Sequence, residues 1–271
     1  MKSERKLTSF DKVAKRYSKD VIPYRYPQYL TMIHLLELGG SEQVLDIGSG
    51  PGIMSLELAK LIPKGYLKGG DISEPMVALA SENARRLGVS NAEFMVEDAL
   101  NLSFPDETFD VIISSNAFPW VSDRKKFLKE VFRTLKPGGK FGLVSLADTV
   151  YQEFADALTA IAHNYDDRIP SGPDFSVAGA RVFTQQNLAN FVRENGFEIL
   201  RSFRFSAEEP ISPEKYLNRV NSIVNENYLD DLEPDEKTQA RADIIEALNQ
   251  LFGDKLVITE SSIFVLARRT E

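Results

Sequence analysis

Val44-Leu-Asp-Ile-Gly-Ser-Gly-Pro-Gly52 is a short apolar run that meets three alternating glycines and passes straight into a helical pattern. Gly48, Gly50 and Gly52 let the backbone turn sharply and leave room for a ligand against the main chain. An ordinary strand-to-helix turn needs neither three glycines nor an acid two residues ahead of them. The dinucleotide fingerprint G-x-G-x-x-G puts its third glycine where this chain has Ile53, so nicotinamide spacing fails. Asp46, read as facing the same loop, repels a pyrophosphate and suits a ligand carrying an ammonium or sulfonium group. That charge pattern is the physical case for S-adenosylmethionine.

Outward from this loop, short apolar runs alternate with helical spacing, the pattern of a mostly parallel sheet covered by helices. Strands are expected at Gln43 to Ile47, Tyr66 to Asp71, Ala92 to Val96, Phe109 to Ser114 and Lys140 to Ala147. Helices are expected at Ile53 to Leu61, at Pro75 to Leu87 closed by Gly88, and at Arg124 to Leu135 stopped by Pro137 and Gly138. Further on, Tyr151 to His163 reads as a helix, Ile169 to Gly179 as a loop, and Gln185 to Asn195 as a helix capped by Thr184. Phe197 to Phe205 and Lys255 to Arg268 read as the last two strands. Ser206 to Asp254 holds 12 acidic and 4 basic residues, and Tyr216, Leu217, Val220, Ile223 and Val224 recur at helical spacing. The predicted fold is α/β: a Rossmann-like, seven-stranded, mostly parallel sheet with helices on both faces. The expected division is an N-terminal helical cap (1–40), a cofactor-binding core (41–205) with a loop at 165–183, an acidic helical insertion or lid (206–254) and a final core strand (255–271).

The chain has 271 residues, 43% hydrophobic and 27% charged, enough for one large core with an insertion. Its 32 basic and 40 acidic residues give a net charge of −8, which argues against nucleic acid as a partner. Having no cysteine, it can form neither a disulfide nor a thiolate metal site, and the attack on cytosine C5, which needs a thiolate, is out of reach. No metal site is expected. No apolar run approaches the ~20 residues of a membrane span. The expectation is a cytoplasmic protein without stable membrane association; its oligomeric state is left open.

The acid-x-Gly-x-Gly-x-Gly pattern resembles motif I of the class I S-adenosylmethionine-dependent methyltransferases. The likeness continues through Gly70-Asp71, Glu97-Asp98-Ala99, Asp110 and Leu135-Lys-Pro-Gly-Gly-Lys-Phe141, covering Gln43 to Ala147. Within that superfamily the chain is similar to the ubiquinone/menaquinone-biosynthesis and small-molecule methyltransferases. The resemblance implies S-adenosylmethionine as donor, S-adenosylhomocysteine as product, and a small or lipid-like methyl acceptor. It places the donor against Asp46, Gly48, Ser49, Gly50 and Gly52. Asp71 would accept from both ribose hydroxyls, with Ile72 and Met76 flanking the adenine. Asp98 would accept from the adenine amino group, the Ala99 amide would meet a ring nitrogen, and Leu100 would close the pocket. Asn116 would touch the methionine part.

Phe118 and Trp120 either wall the substrate or pack the core. The N-P-P-Y signature of adenine and glutamine methyltransferases is absent here, since Asn116 is followed by Ala-Phe-Pro. Near the N-terminus Phe10, Val13, Ala14, Tyr17 and Val21 make one apolar helical face. That face either packs on the domain or caps the donor site, with tyrosines such as Tyr17 lining the acceptor pocket. The basic excess of the first 25 residues reads as a solvated helix face rather than a membrane contact. His34 reads as a packed helix residue. No pattern identifies a catalytic group; His163, Tyr24 and Tyr26 are the candidates for a base. Against the methyltransferase reading stands a protein of the same fold that binds the cofactor or a protein partner without catalysis.

Overall fold

The inner strand of the sheet, β1 (Gln43–Ile47), is buried from Val44 onward, as a strand with helices on both faces must be. It belongs to a computed structural model that describes residues 14–147, 151–166, 168–169, 183–224, 227–253 and 256–271. Helix α1 covers residues 14–20 and α2 is Ile22–Leu36. After β1 come α3 (Ile53–Leu61), β2 (Tyr66–Asp71), α4 (Glu74–Leu87), β3 (Ala92–Val96) and β4 (Phe109–Ser115). The second half holds α5 (Arg124–Thr134), β5 (Leu135–Leu146), α6 (Gln152–Ile161), α7 (Gln185–Glu194) and β6 (Phe197–Ile211). It ends with α8 (Pro213–Val224), α9 (Pro234–Phe252) and β7 (Leu256–Arg269).

The seven strands lie in the order β3-β2-β1-β4-β5-β7-β6, and only β7 runs against its neighbours. Alternating side chains divide the interior. Val44, Val111 and Val144 pack under α2, α3 and α4, while Leu45, Ile112 and Leu143 pack under α5 and α7. A third apolar cluster joins α6, α8 and α9 to the far ends of β6 and β7 through Ile211, Leu256 and Ile258. Each fully buried aliphatic side chain contributes about 1.5–3 kcal/mol. Ser73 caps α4 by accepting from the Met76 amide at 3.4 Å, Gly88 ends that helix with φ +66, and Thr184 caps α7.

Two expected boundaries move. Pro137 and Gly138 do not stop a helix in a loop, because β5 begins at Leu135, directly after α5. The pairing with β4 jumps from Phe109↔Leu135 to Val111↔Lys140, and the residues between bulge out. A proline without an N–H is tolerated at such a bulge. Likewise β6 does not end at Phe205. It continues to Ile211 and pairs with β7 as far as Ile211↔Leu256, so the helical segment starts at α8. Glu208 and Glu209 hide this extension in the sequence, because one side of the paired strand ends is open to solvent. His34 is exposed on α2 rather than packed. The predicted loop 169–179 lies outside the described residues except for Ile169, as do Phe10 and Val13.

Candidate active site

Strand order reverses between β1 and β4, and in an open α/β sheet that reversal leaves a crevice at the carboxyl ends of the strands. A cavity of about 380 Å³ occupies it. One wall is the β1–α3 loop, Gly48 to Pro51, and another is the end of β2 with Asp71, Ile72 and Met76. Glu97 to Leu100 and Asn116 to Ala117 complete it from β3 and β4, and Trp120 and Val121 follow. Tyr17, Ile22 and Arg25 reach in from the N-terminal helices and Ile223 from α8.

The loop is held by local bonds that leave its inner side open. The amides of Gly48 and Ser49 both donate to the Gly70 carbonyl, at 2.8 and 3.1 Å. Gly50 has φ +54, and no atom stands within 4 Å of where a Cβ would be, so bare backbone faces the cavity. Asp71 Oδ2 accepts from the Gly50 amide at 2.8 Å, and Oδ1 accepts from the Ser73 amide at 3.0 Å. These bonds orient a carboxylate that has more acceptor capacity than two amides use. Asp98 is exposed, and its Oδ1 accepts from the Leu100 amide at 2.8 Å.

Asn116 sits in the left-handed region, at φ +60, just past β4. Asparagine is among the residues that tolerate this conformation. Its amide donates to the Val144 carbonyl at 2.8 Å and its Nδ2 to Ser115 Oγ at 3.2 Å. Asn116 Oδ1 and Ser49 Oγ, both buried on the cavity wall, have no hydrogen-bond partner among the described residues. Native interiors leave few such groups unpaired. An orphaned acceptor, an orphaned hydroxyl, an oriented carboxylate and open glycine backbone fit a polar ligand with hydroxyl, amino and carboxylate groups, as S-adenosylmethionine has.

Several expected site residues stand elsewhere. Asp46 is 3% exposed and off the wall; Tyr29 Oη donates to its Oδ2 at 3.2 Å, and so does Ser55 Oγ. Burial pushes this carboxyl up to about 6, against the opposing help of the Ser55 and Tyr29 hydrogen bonds. Asp46 therefore ties α2 and α3 to β1 and acts on the cavity only through its field. Gly52 is a packing glycine: a Cβ there would come within 2.7 Å of Ala80 Cβ and 2.8 Å of Phe94 Cζ. Phe118 is fully buried, edge-on to Phe127 with ring centroids 5.3 Å apart, so core packing claims it. His163 is exposed and Tyr26, on α2, is partly buried against the core cluster, both off the wall. Tyr24, also off the wall, carries Arg219 over its ring at 4.3 Å.

Arg25, Ile22 and Ile223 line the cavity and were not among the expected residues. Arg25 carries a signal that could have found it, a charged residue one turn before Tyr29 on an otherwise buried helix face. Ile223 carries none.

A test of the Asp46 assignment follows from its raised ionisation. A carboxyl held above its unfolded value stabilises the fold most at low pH, and that contribution is lost as pH rises through about 6. Urea melts of wild type and Asp46→Asn at pH 4.5 and 7.5 should show wild type losing about 2 kcal/mol relative to the variant between the two. A pH-independent difference would mean that Asp46 is solvated.

Comparison with known proteins agrees with this geometry. A methyltransferase-domain family matches residues 44–139. The uncharacterized methyltransferase YcgJ of Bacillus subtilis is 34% identical over 157 residues, 57% of this chain and 61% of that protein, so the match spans less than two thirds of YcgJ. Its crystal structure superposes with a TM-score of 0.62 at 24% identity, covering 91% of this chain and 99% of YcgJ. The ubiquinone/menaquinone biosynthesis C-methyltransferase UbiE of Escherichia coli is 32% identical over 176 residues, 61% of this chain and 70% of UbiE. An S-adenosylmethionine-dependent methyltransferase structure from Aquifex aeolicus has a TM-score of 0.54 at 22% identity, covering 70% of this chain and 90% of that one. With strand order, loop and relatives in agreement, this chain belongs to the class I S-adenosylmethionine-dependent methyltransferases.

Proposed function

We propose that the chain transfers a methyl group from S-adenosylmethionine to a small-molecule acceptor. The observation that carries this reading is the two-sided cavity. Motif residues at the strand ends form one side, and Tyr17, Ile22 and Ile223, from helices outside the sheet, form the other. The likeness to UbiE supports a small acceptor.

S-adenosylmethionine, when bound, supplies a methyl group already activated by its positive sulfur. The chain's own task is alignment and dehydration. Asp71 would hold the ribose, Met76 and Ile72 the adenine, and Ser49 and Asn116 the polar end. Tyr17, Trp120 and Ile223 would exclude water and fix the acceptor. Alignment alone supplies about 7–11 kcal/mol in well-oriented reactions, so the reading needs no strong acid or base at this wall.

The test is a labelled-methyl assay with a metabolite extract. A labelled low-mass product supports the proposal. Tight donor binding with no labelled product from any extract would instead favour a cofactor-binding protein without transferase activity. Once an acceptor is in hand, Trp120→Ala should lower kcat/KM for it at least ~10-fold through lost apolar contact, with donor Kd unchanged within about twofold. A matching loss of donor affinity would move Trp120 to the donor side.

No helix among the described residues is long and apolar enough to cross a membrane. We take cytoplasmic action on a dissolved or lipid-like acceptor as part of the proposal.

A further inference from the structure

β6 is one edge of the sheet, and its 15 residues far exceed the 5 of β3 at the other edge. Among the described residues no strand pairs with its outer side. A long open edge is a template for another strand, and proteins ordinarily shorten or cover it. Which backbone groups of β6 face outward follows from β7. The Ser261 carbonyl accepts from the Ala147 amide at 3.1 Å, on the β5 side, so Ser261 turns its N–H and C=O away from its register partner Ser206. In an antiparallel ladder such a pair is non-hydrogen-bonded, and so are the pairs two residues to either side. The register is unbroken from Arg201 to Ile211, so Arg204, Ser206 and Glu208 all present their N–H and C=O groups outward. Pro210, next in this series, has no N–H to offer, as suits an edge. At the other end Gln185 Nε2 donates to the Ser202 carbonyl at 2.9 Å, which closes the series there.

The open stretch from Arg204 to Glu208 is complementary to itself. Arg204, Ser206 and Glu208 are exposed and share one face of the strand, where Ser206 Oγ and Arg204 Nη2 meet Ser261 Oγ at 2.8 and 3.0 Å. A two-fold axis through Ser206 sets Arg204 of one copy opposite Glu208 of the other, twice, with the outward backbone groups of both strands in bonding position. Opposite charges directly across a ladder favour pairing, and like charges oppose it. Shifting the register by two residues puts Arg204 or Glu208 against Ser206 and loses both ion pairs; a further two puts like charges together. On the other face the exposed ring of Phe205 comes opposite Ala207, with the second Phe205 as its diagonal neighbour.

We infer that the outer edge of β6 is an interaction surface for a second copy of this chain, joined about a two-fold axis at Ser206 into one continuous sheet. A single strand pair buries little area, so the dimer is weak, with Kd on the order of 10–100 μM. The inference is independent of the methyltransferase reading, and the two can fail separately.

Sedimentation velocity on the full chain tests it. Wild type should pass from monomer to dimer across roughly 1–500 μM. Arg204→Glu alone and Glu208→Arg alone each set like charges opposite and should weaken the dimer roughly 10- to 100-fold. Mixed in equal amounts, the two variants bring acids on one chain against bases on the other and should dimerise as wild type does. The double variant, with both substitutions in one chain, should also recover. If a single variant does not fold, Arg204→Gln and Glu208→Gln remove the ion pairs without repulsion and should each weaken the dimer roughly 3- to 10-fold. Wild type that stays monomeric throughout the range overturns the inference. So does a dimer that none of these substitutions weakens, since it forms through another surface. A mixture of two folded single variants that stays monomeric overturns the pairing at Ser206.

Discussion

Asp71→Ala is expected to weaken S-adenosylmethionine binding by about 10²- to 10⁴-fold. Two charge-assisted hydrogen bonds to a ribose diol contribute about 1.5–3 kcal/mol each in a partly desolvated site, and each 1.4 kcal/mol is tenfold in affinity. Part of the loss comes through the loop. Asp71 accepts from the Gly50 and Ser73 amides, so its removal frees the turn that presents bare backbone to the ligand. S-adenosylhomocysteine shares the ribose but lacks the positive sulfur, so its affinity should fall by the same factor. Calorimetric titration of both ligands decides the matter: a loss confined to S-adenosylmethionine would show that Asp71 acts by long-range charge and not on the diol.

Gly48→Ala should cost about 2–5 kcal/mol of stability. Gly48 has φ +76, where an L side chain costs about 1–2 kcal/mol. A Cβ there would stand 2.2 Å from Ala117 Cβ, and relieving such a clash in a packed site costs about 1–3 kcal/mol more. The loop cannot slide away easily, because the Gly48 amide is bonded to the Gly70 carbonyl. The same substitution in an Ala117→Gly background should relieve the clash and leave only the conformational cost. Urea melts of the four proteins in this cycle measure both parts. If Gly48→Ala matches wild type, or if Ala117→Gly gives no relief, then the contact between the β1–α3 loop and the end of β4 is looser than described.

The strand-end wall of the cavity is legible in the sequence, because its residues sit on strand ends next to the turns that identify them. Gly48, Ser49, Gly50, Asp71, Ile72, Met76, Asp98, Ala99, Leu100 and Asn116 all stand on the wall. Their positions follow from local rules: strand, turn, helix, at the carboxyl edge of a parallel sheet. Asp46 shows where such rules stop. Its place two residues before Gly48 was plain, but the direction of its side chain depends on Tyr29 and Ser55, which arrive from two helices. Period-2 alternation puts a residue on one face of a strand without saying what waits there. Phe118 and Trp120 make the same point two residues apart, since one is sealed among Phe127 and Phe183 and the other reaches the cavity.

The amino-acid sequence by itself determined the α/β class, the strand-and-helix succession and the glycine loop, since these depend on neighbours within a few residues. Only the tertiary structure decided that Tyr17, Arg25 and Ile223 meet over one crevice, that β6 and β7 run on together to Ile211 and Leu256, and that Asp46 points inward. Ile223 lies about two hundred residues along the chain from Tyr17 and Arg25. Their meeting is set by how α1, α2 and α8 pack against the sheet, a choice made by apolar burial across the whole fold that leaves no mark at any one position.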